Sequence, residues 1–191
     1  MIIEKFFPTF VYGKDVQLDN NKLAQDIINW SNQDKGVQKT NYKGWHSTTD
    51  MANKPEYSPL ITELFRMQKE IYDNEHLDRN AFLGNMWANI NPPGSMNQPH
   101  VHPNALFSGV YYVKSGNHDS GDTVFENPVK STYIDRGNLF LDHMHTLRIK
   151  PQDGLLVIFP SYLSHYQAIY KGTEDRIVVA FNASIDKREE V

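Results

Sequence analysis

Three of the eight histidines are spaced for joint metal binding. His100 and His102 flank Val101 as an H-x-H pair in a stretch that reads as a strand. Strand side chains alternate between faces, so both imidazoles are expected on one side, a chelating arrangement. His165 lies far along the chain in LSHYQA, on or just before another strand. A closed β architecture could bring it to the pair as a third ligand. Imidazole suits Zn, Cu, Fe and Ni alike, so residue type does not choose the metal. On spacing alone the pair is equally compatible with two half-exposed structural histidines. His143 and His145 form a second H-x-H without comparable flanks. They, with His46, His76 and His118, read as surface or loop residues.

The elements that would position these residues fall in the C-terminal part. After Leu77 the segments are short, rich in Val, Ile, Phe and Tyr, and separated by Gly, Pro, Asn and Asp. Strands are expected at 82–91, 99–102, 106–114, 122–126, 138–141, 145–150, 155–160, 164–170 and 176–184. Many short strands with turn punctuation indicate a β-sandwich or barrel, not a βαβ fold. Upstream, residues 2–12 read as a strand, with Pro8 pointing to a sheet edge. Asp19 or Asn20 caps an expected helix to about Asn32, with Leu23, Ile27 and Trp30 on one face. Residues 35–55 read as a loop. Ser58 before Pro59 suits a helix start, and Leu60, Leu64, Met67, Ile71 and Tyr72 recur at helical spacing to about Leu77. One domain is expected over 1–191. Residues 1–80 would support a core at 81–185, and 186–191 would be a frayed tail.

Composition removes several classes. The 191 residues include no cysteine, which excludes thiolate zinc sites, iron–sulfur clusters, disulfide scaffolds and cysteine nucleophiles. A net charge of -4 leaves no basic excess for phosphates, so no nucleic-acid partner is expected. No apolar run approaches the roughly 20 residues of a membrane helix. The opening residues lack a signal-peptide pattern, so a cytoplasmic protein without membrane contact is expected. No G-x-S-x-G elbow, P-loop or helix-opening G-x-G-x-x-G occurs.

Two longer patterns frame the histidines. GSMNQPHVH (94–102) is G-x5-H-x-H, and GLLVIFPSYLSH (154–165) is G-x5-P-x-Y-x2-H. Both resemble the two cupin motifs of double-stranded β-helix proteins. The Glu that cupins carry after H-x-H is missing, and Ile169 stands where their second motif has Asn.

A second resemblance covers more residues. WANINPPG (87–94), HVHPN (100–104), SGVYYV (108–113), GDTVFENP (121–128), PQDG (151–154), FPS (159–161), His165 and RIVVAFN (176–182) occur in order. This set resembles a family of 2-oxoglutarate/Fe(II)-dependent oxygenases. It is also similar to the wider prolyl-hydroxylase type, in which a strand bears H-x-D, a distal His follows, and a basic residue comes about ten residues later. Here His102 stands at the carboxylate position, and Arg176 follows His165 by eleven residues. The usual triad is two His and one carboxylate with open positions. Either the triad here is three histidines, or a carboxylate comes from elsewhere, with Glu126 ahead of Asp122 as the candidate.

The resemblance implies a mainly β, double-stranded β-helix (jelly-roll) core with N-terminal α-helices packed on one face. It implies a hydroxylase using Fe(II), 2-oxoglutarate and O2, releasing succinate and CO2. His100, His102 and His165 would hold the metal. Arg176 would pair the far carboxylate of 2-oxoglutarate, as guanidinium matches carboxylate with two parallel hydrogen bonds. Tyr112 would add a hydroxyl, with core packing its close rival. Asn89, Asn91 and Asn97 would orient cosubstrate or support the histidines, or serve only their turn. Trp87 would wall the pocket or fill core. Specificity is expected in 35–57 and 129–145, with a small molecule or peptide side chain as substrate. The alternatives are a cupin-like three-His dioxygenase without 2-oxoglutarate, and a metal-free jelly-roll binding module. Assembly stays open, a homodimer included.

Overall fold

The computed structural model describes residues 9–77, 81–128 and 145–185. The expected strand at 138–141, the N-terminal part of the strand at 2–12, His143 and the tail 186–191 lie outside the described residues.

Eleven strands are described: β1 Tyr12–Asp15, β2 Asn41–Tyr42, β3 Trp45–His46, β4 Ala81–Asn91, β5 Met96–His100, β6 Phe107–Lys114, β7 Thr123–Glu126, β8 Thr146–Ile149, β9 Leu155–Pro160, β10 His165–Gln167 and β11 Arg176–Ile185. They form two antiparallel sheets, ordered β1-β9-β6-β11-β4-β3 and β2-β5-β10-β7-β8. Two helices, α1 Asn20–Ser31 and α2 Ser58–Asn74, complete the fold. This is the mainly β jelly roll with N-terminal helices that the sequence pattern implies.

Period-two alternation sorts the larger sheet cleanly. Met86, Ala88 and Ile90 on β4, and Ile177, Val179, Phe181 and Ala183 on β11, join the core that contains Leu60, Leu64 and Ile71 of α2. Each fully buried Ile, Leu, Met, Val or Phe among them contributes about 1.5–3 kcal/mol. The opposite face turns inward: Tyr112, Val157, Phe159 and Val178 pack with Phe125 and Leu163 from the smaller sheet's side. Gly109 stands opposite Phe181 in the β6–β11 register. A Cβ there would lie 2.3 Å from the Phe181 ring and 2.7 Å from the Val157 carbonyl oxygen.

The helices start as their sequences dictate, with one difference. The Asp19 side chain accepts from the Lys22 backbone N–H at 3.0 Å, capping α1. Ser58, expected as a cap, is already helical (φ -56°, ψ -35°), because α2 continues directly from a 3-10 turn at Pro55–Tyr57. The region expected as a loop at 35–55 contains β2 and β3. β2 pairs with β5 and β3 with β4, so this segment reaches an edge of both sheets. Among the described residues no helix is long and apolar enough to cross a membrane.

Candidate metal centre

β10 is three residues long and lies between β5 and β7. Its first residue, His165, stands opposite His100 on one side and Phe125 on the other. Direct pairing thus delivers the distant histidine to the first one. His102 arrives differently. β5 ends at His100, so alternation within one strand does not place both rings. Instead the His102 backbone N–H donates to the Ser161 carbonyl at 3.0 Å, fastening it to the connection between β9 and β10. The His102 and His165 Nε2 atoms lie 3.3 Å apart. One nitrogen from each of His100, His102 and His165 falls within 4.8 Å of the others.

The donor set suits a metal ion. His100 Nδ1 lies 2.7 Å from the Gln98 carbonyl, and His165 Nδ1 lies 2.9 Å from the Leu163 carbonyl. A carbonyl only accepts, so Nδ1 carries the proton in each and Nε2 keeps its lone pair for a ligand role. Burial also holds the rings neutral. It lowers His100, pushes His102 down to about 4 and, with the neighbouring imidazoles, His165 down to about 3. His165 is wedged against Phe159, ring centroids 4.6 Å apart.

This sets a pH dependence for the metal-free protein. The folded pKa values lie below the unfolded value near 6.5, so below that pH the unfolded chain binds more protons. Stability is complete above about pH 6.5 and is lost as pH falls toward 4. Thermal denaturation of metal-free protein across that range should show a falling midpoint. His102→Asn should flatten the fall, and an unchanged slope would contradict the neutral-histidine cluster.

A cavity of about 330 Å³ opens beside the histidines, lined by Asn89, Asn97, Trp87, Thr123 and Phe159 among others. Trp87 therefore walls the site: its ring stacks on His46 at 5.5 Å and lies 5.8 Å from His102. His46, expected at the surface, is buried and lines the cavity, because β3 pairs it against Asn89. Lys39, Thr40 and Thr49 of the 35–57 segment line it too.

Arg176, Tyr112 and Asn91 share the inward face but lie one layer behind the cavity wall. Tyr112 Oη is bonded to Thr123 Oγ1 at 2.6 Å, and Thr123 faces the cavity. Arg176 is 1 % exposed, opposite Asn91 in the β4–β11 register. One of its Nη atoms donates to the Gly121 carbonyl, and the guanidinium lies 5.3 Å over the Tyr170 ring. Among the described residues no carboxylate hydrogen-bonds or ion-pairs with it, although Asp122 lies near enough to act on its charge. Gly121 has φ +78°, and a Cβ there would lie 2.4 Å from Arg176 Nη1. Burial lowers Arg176 to about 10, which still leaves it charged at neutral pH. Arg176 Nε, both amide atoms of Asn91 and Asn89 Oδ1 are buried without hydrogen-bond partners. A buried cation beside unpaired polar atoms fits a carboxylate ligand, since such groups are costly unless paired.

The carboxylate alternatives do not join the histidines. Phe125 of β7 packs inward beside His165, so alternation turns Glu126 to the other face. There Ser164 Oγ donates to Glu126 at 2.8 Å. Asp122 pairs with Arg148 at 3.8 Å. Among the described residues, the three histidines are the one group of this kind able to hold a metal ion.

Residues 85–182 match a family model described as "Putative 2OG-Fe(II) oxygenase". That span is just over half of the chain. The chain belongs to this family of 2OG-Fe(II) oxygenases. Fe(II) and 2-oxoglutarate are accordingly its metal and cosubstrate. No curated protein matches the oxygenase in sequence. Solved structures match it in fold. A Pseudomonas putida prolyl-4-hydroxylase is 15% identical over 94% of each chain, with TM-score 0.65. The epimerase SnoN from nogalamycin biosynthesis is 9% identical over 92% of the oxygenase and 76% of its own chain, with TM-score 0.70. Iron-bound HygX from Streptomyces hygroscopicus is 10% identical over 92% and 82%, with TM-score 0.62.

Proposed function

We propose that the protein is a single-domain hydroxylase in which His100, His102 and His165 hold Fe(II) without a carboxylate ligand. Its substrate is a small molecule or a peptide side chain. The observation that carries this reading is the cluster of three neutral imidazoles beside the inward sheet face on which Arg176 lies buried, with no carboxylate hydrogen-bonded or ion-paired to it among the described residues. Iron, 2-oxoglutarate and O2 together supply the oxidising chemistry, with succinate and CO2 as coproducts. The chain's own residues do the positioning. The Gln98 and Leu163 carbonyls fix the tautomers of two ligands. Arg176 Nε and the Asn91 amide would receive the far carboxylate of 2-oxoglutarate, with the hydrogen-bonded Tyr112 and Thr123 hydroxyls as further polar groups. Phe125 and Phe159 keep water from the metal side.

Anaerobic titration of metal-stripped protein with Fe(II) and then 2-oxoglutarate tests this. A weak visible charge-transfer band is expected only with both present. Iron binding without the band would leave a three-His centre that does not use 2-oxoglutarate.

A further inference from the structure

The polar groups on the inward face of the larger sheet differ in whether their hydrogen bonds are met. At one end Ser108 Oγ donates to Asn182 Oδ1 at 2.7 Å, and Asn182 Nδ2 donates to Asn85 Oδ1 at 2.9 Å. Each of these three side chains has a partner within the protein. At the other end Arg176 and Asn91 are assigned to the far carboxylate of 2-oxoglutarate. Between the two ends Asn89 of β4 stands opposite His46 of β3, and neither account covers this pair.

His46 Nδ1 lies 2.7 Å from the Ser47 carbonyl, which only accepts, so Nδ1 carries the ring proton. Burial lowers the pKa of the ring, and the charge of Lys39 lowers it further, so the ring is neutral. Nε2 then has a lone pair and no hydrogen: it accepts and cannot donate. His46 is 5 % exposed, lines the cavity and stacks on Trp87 with 9° between the ring planes. Among the described residues nothing donates to its Nε2. Asn89 is 4 % exposed, lines the same cavity, and its Oδ1 is buried and accepts no hydrogen bond. Two register neighbours therefore bring unmet acceptors to one stretch of wall, and a buried acceptor left unbonded is costly.

2-Oxoglutarate cannot serve them, because its carboxylates and its ketone are all acceptors. An ammonium group does not suit them either. No Asp or Glu lines the cavity, and Lys39 is near enough to act on His46.

Resting on the oxygenase reading, we propose that His46 Nε2 and Asn89 Oδ1 bind the primary substrate through a neutral N–H or O–H group. An amide or a hydroxyl supplies such a donor. The rest of the substrate lies along Trp87, whose ring spans from His46 to His102, with centroids 5.5 and 5.8 Å away. The donor is thereby held one aromatic ring from the metal ligands, and the carbon to be oxidised lies on the histidine side of it.

The test uses the full chain loaded with Fe(II) and 2-oxoglutarate under anaerobic conditions. The probes are isosteric pairs on straight-chain and aryl skeletons: primary amides against the matching methyl ketones, and alcohols against the matching fluorides. The readout is the shift of the visible charge-transfer band with probe concentration, then probe-dependent succinate formation in air. A donor probe should shift the band, and its isostere should bind about 10-fold more weakly or worse. Whichever pair shows the preference tells amide from hydroxyl. His46→Phe keeps a ring on Trp87 but removes Nε2, and should bring donor and isostere to near parity. His46→Gln can place an amide oxygen where Nε2 stood, and should restore part of the preference. Asn89→Leu should reduce it. A loss of packing alone would weaken donor and isostere equally and leave the preference standing. A preference undiminished in His46→Phe, isosteres that match their donors in the wild type, or donor probes that shift nothing would each overturn the assignment. Wild-type protein that forms no band would overturn the oxygenase reading itself.

Discussion

His165→Ala should leave a protein that does not retain iron through anaerobic dialysis. His165 is the hinge of the centre: it pairs with His100, approaches His102 to 3.3 Å between Nε2 atoms, and is 7 % exposed. Removing it leaves two imidazoles, and among the described residues no carboxylate joins them. Loss of a group that merely orients a ligand costs about 10–100-fold in affinity, so loss of a ligand should exceed that range. Turnover should fall with occupancy. Glu126→Gln is the matched control. Glu126 faces away and bonds Ser164, so that variant should bind iron as the wild type does. Metal analysis after dialysis separates the two variants. Wild-type iron content in His165→Ala would remove the centre from consideration.

Arg176→Ala should separate the two binding events, keeping iron and losing 2-oxoglutarate by about 100-fold or more. Truncating one partner of a buried charge pair typically costs about 2–5 kcal/mol, much of it from leaving the other charge unpaired. Arg176 is well set for such a loss. It is buried, it has an unpartnered Nε, and the opposing Asn91 amide is also unpartnered. Arg176→Lys should recover only part of the affinity, because an ammonium restores charge without the planar fork. The charge-transfer titration reads both outcomes, and an intact circular dichroism spectrum shows that the fold survives. Undiminished 2-oxoglutarate affinity in Arg176→Ala would reject the assignment.

Much of this centre is legible in the sequence, but through different physics at each residue. His165 is legible because a three-residue strand inserted between β5 and β7 must oppose β5, where His100 sits. Arg176 is legible because a charge entering the apolar run IVVAF must face inward or disrupt it. The expectation for His102 reaches the right ring by the wrong route. Alternation along one strand does not apply past His100, and a backbone bond to Ser161 does the work instead. Glu126 shows the reverse error: a strand expected to run near the site suggests a ligand, while pleat parity turns this side chain away. His46 is not legible, since a two-residue strand in a polar stretch carries no periodicity to read. Asn85 and Asn182 are equally silent in isolation. Only the register that makes them opposite neighbours gives them a joint meaning.

The two ends of the inward face share a single backbone, and this shapes how the scaffold can diverge. Arg176 and Asn182 are both carried by β11, which is flanked on both sides by long strands, so their separation behaves as a fixed ruler. A two-residue slip of β11 would preserve inside and outside but carry both residues along together. The spacing of the inward-facing side chains along β11 is therefore not adjustable. Change falls instead on what stands opposite it: the 39–49 segment, whose strands are two residues long, and the brief strands of the smaller sheet. There the cavity-lining side chains can change while Trp45, which packs on Trp30 of α1, keeps the segment on the helix-backed core.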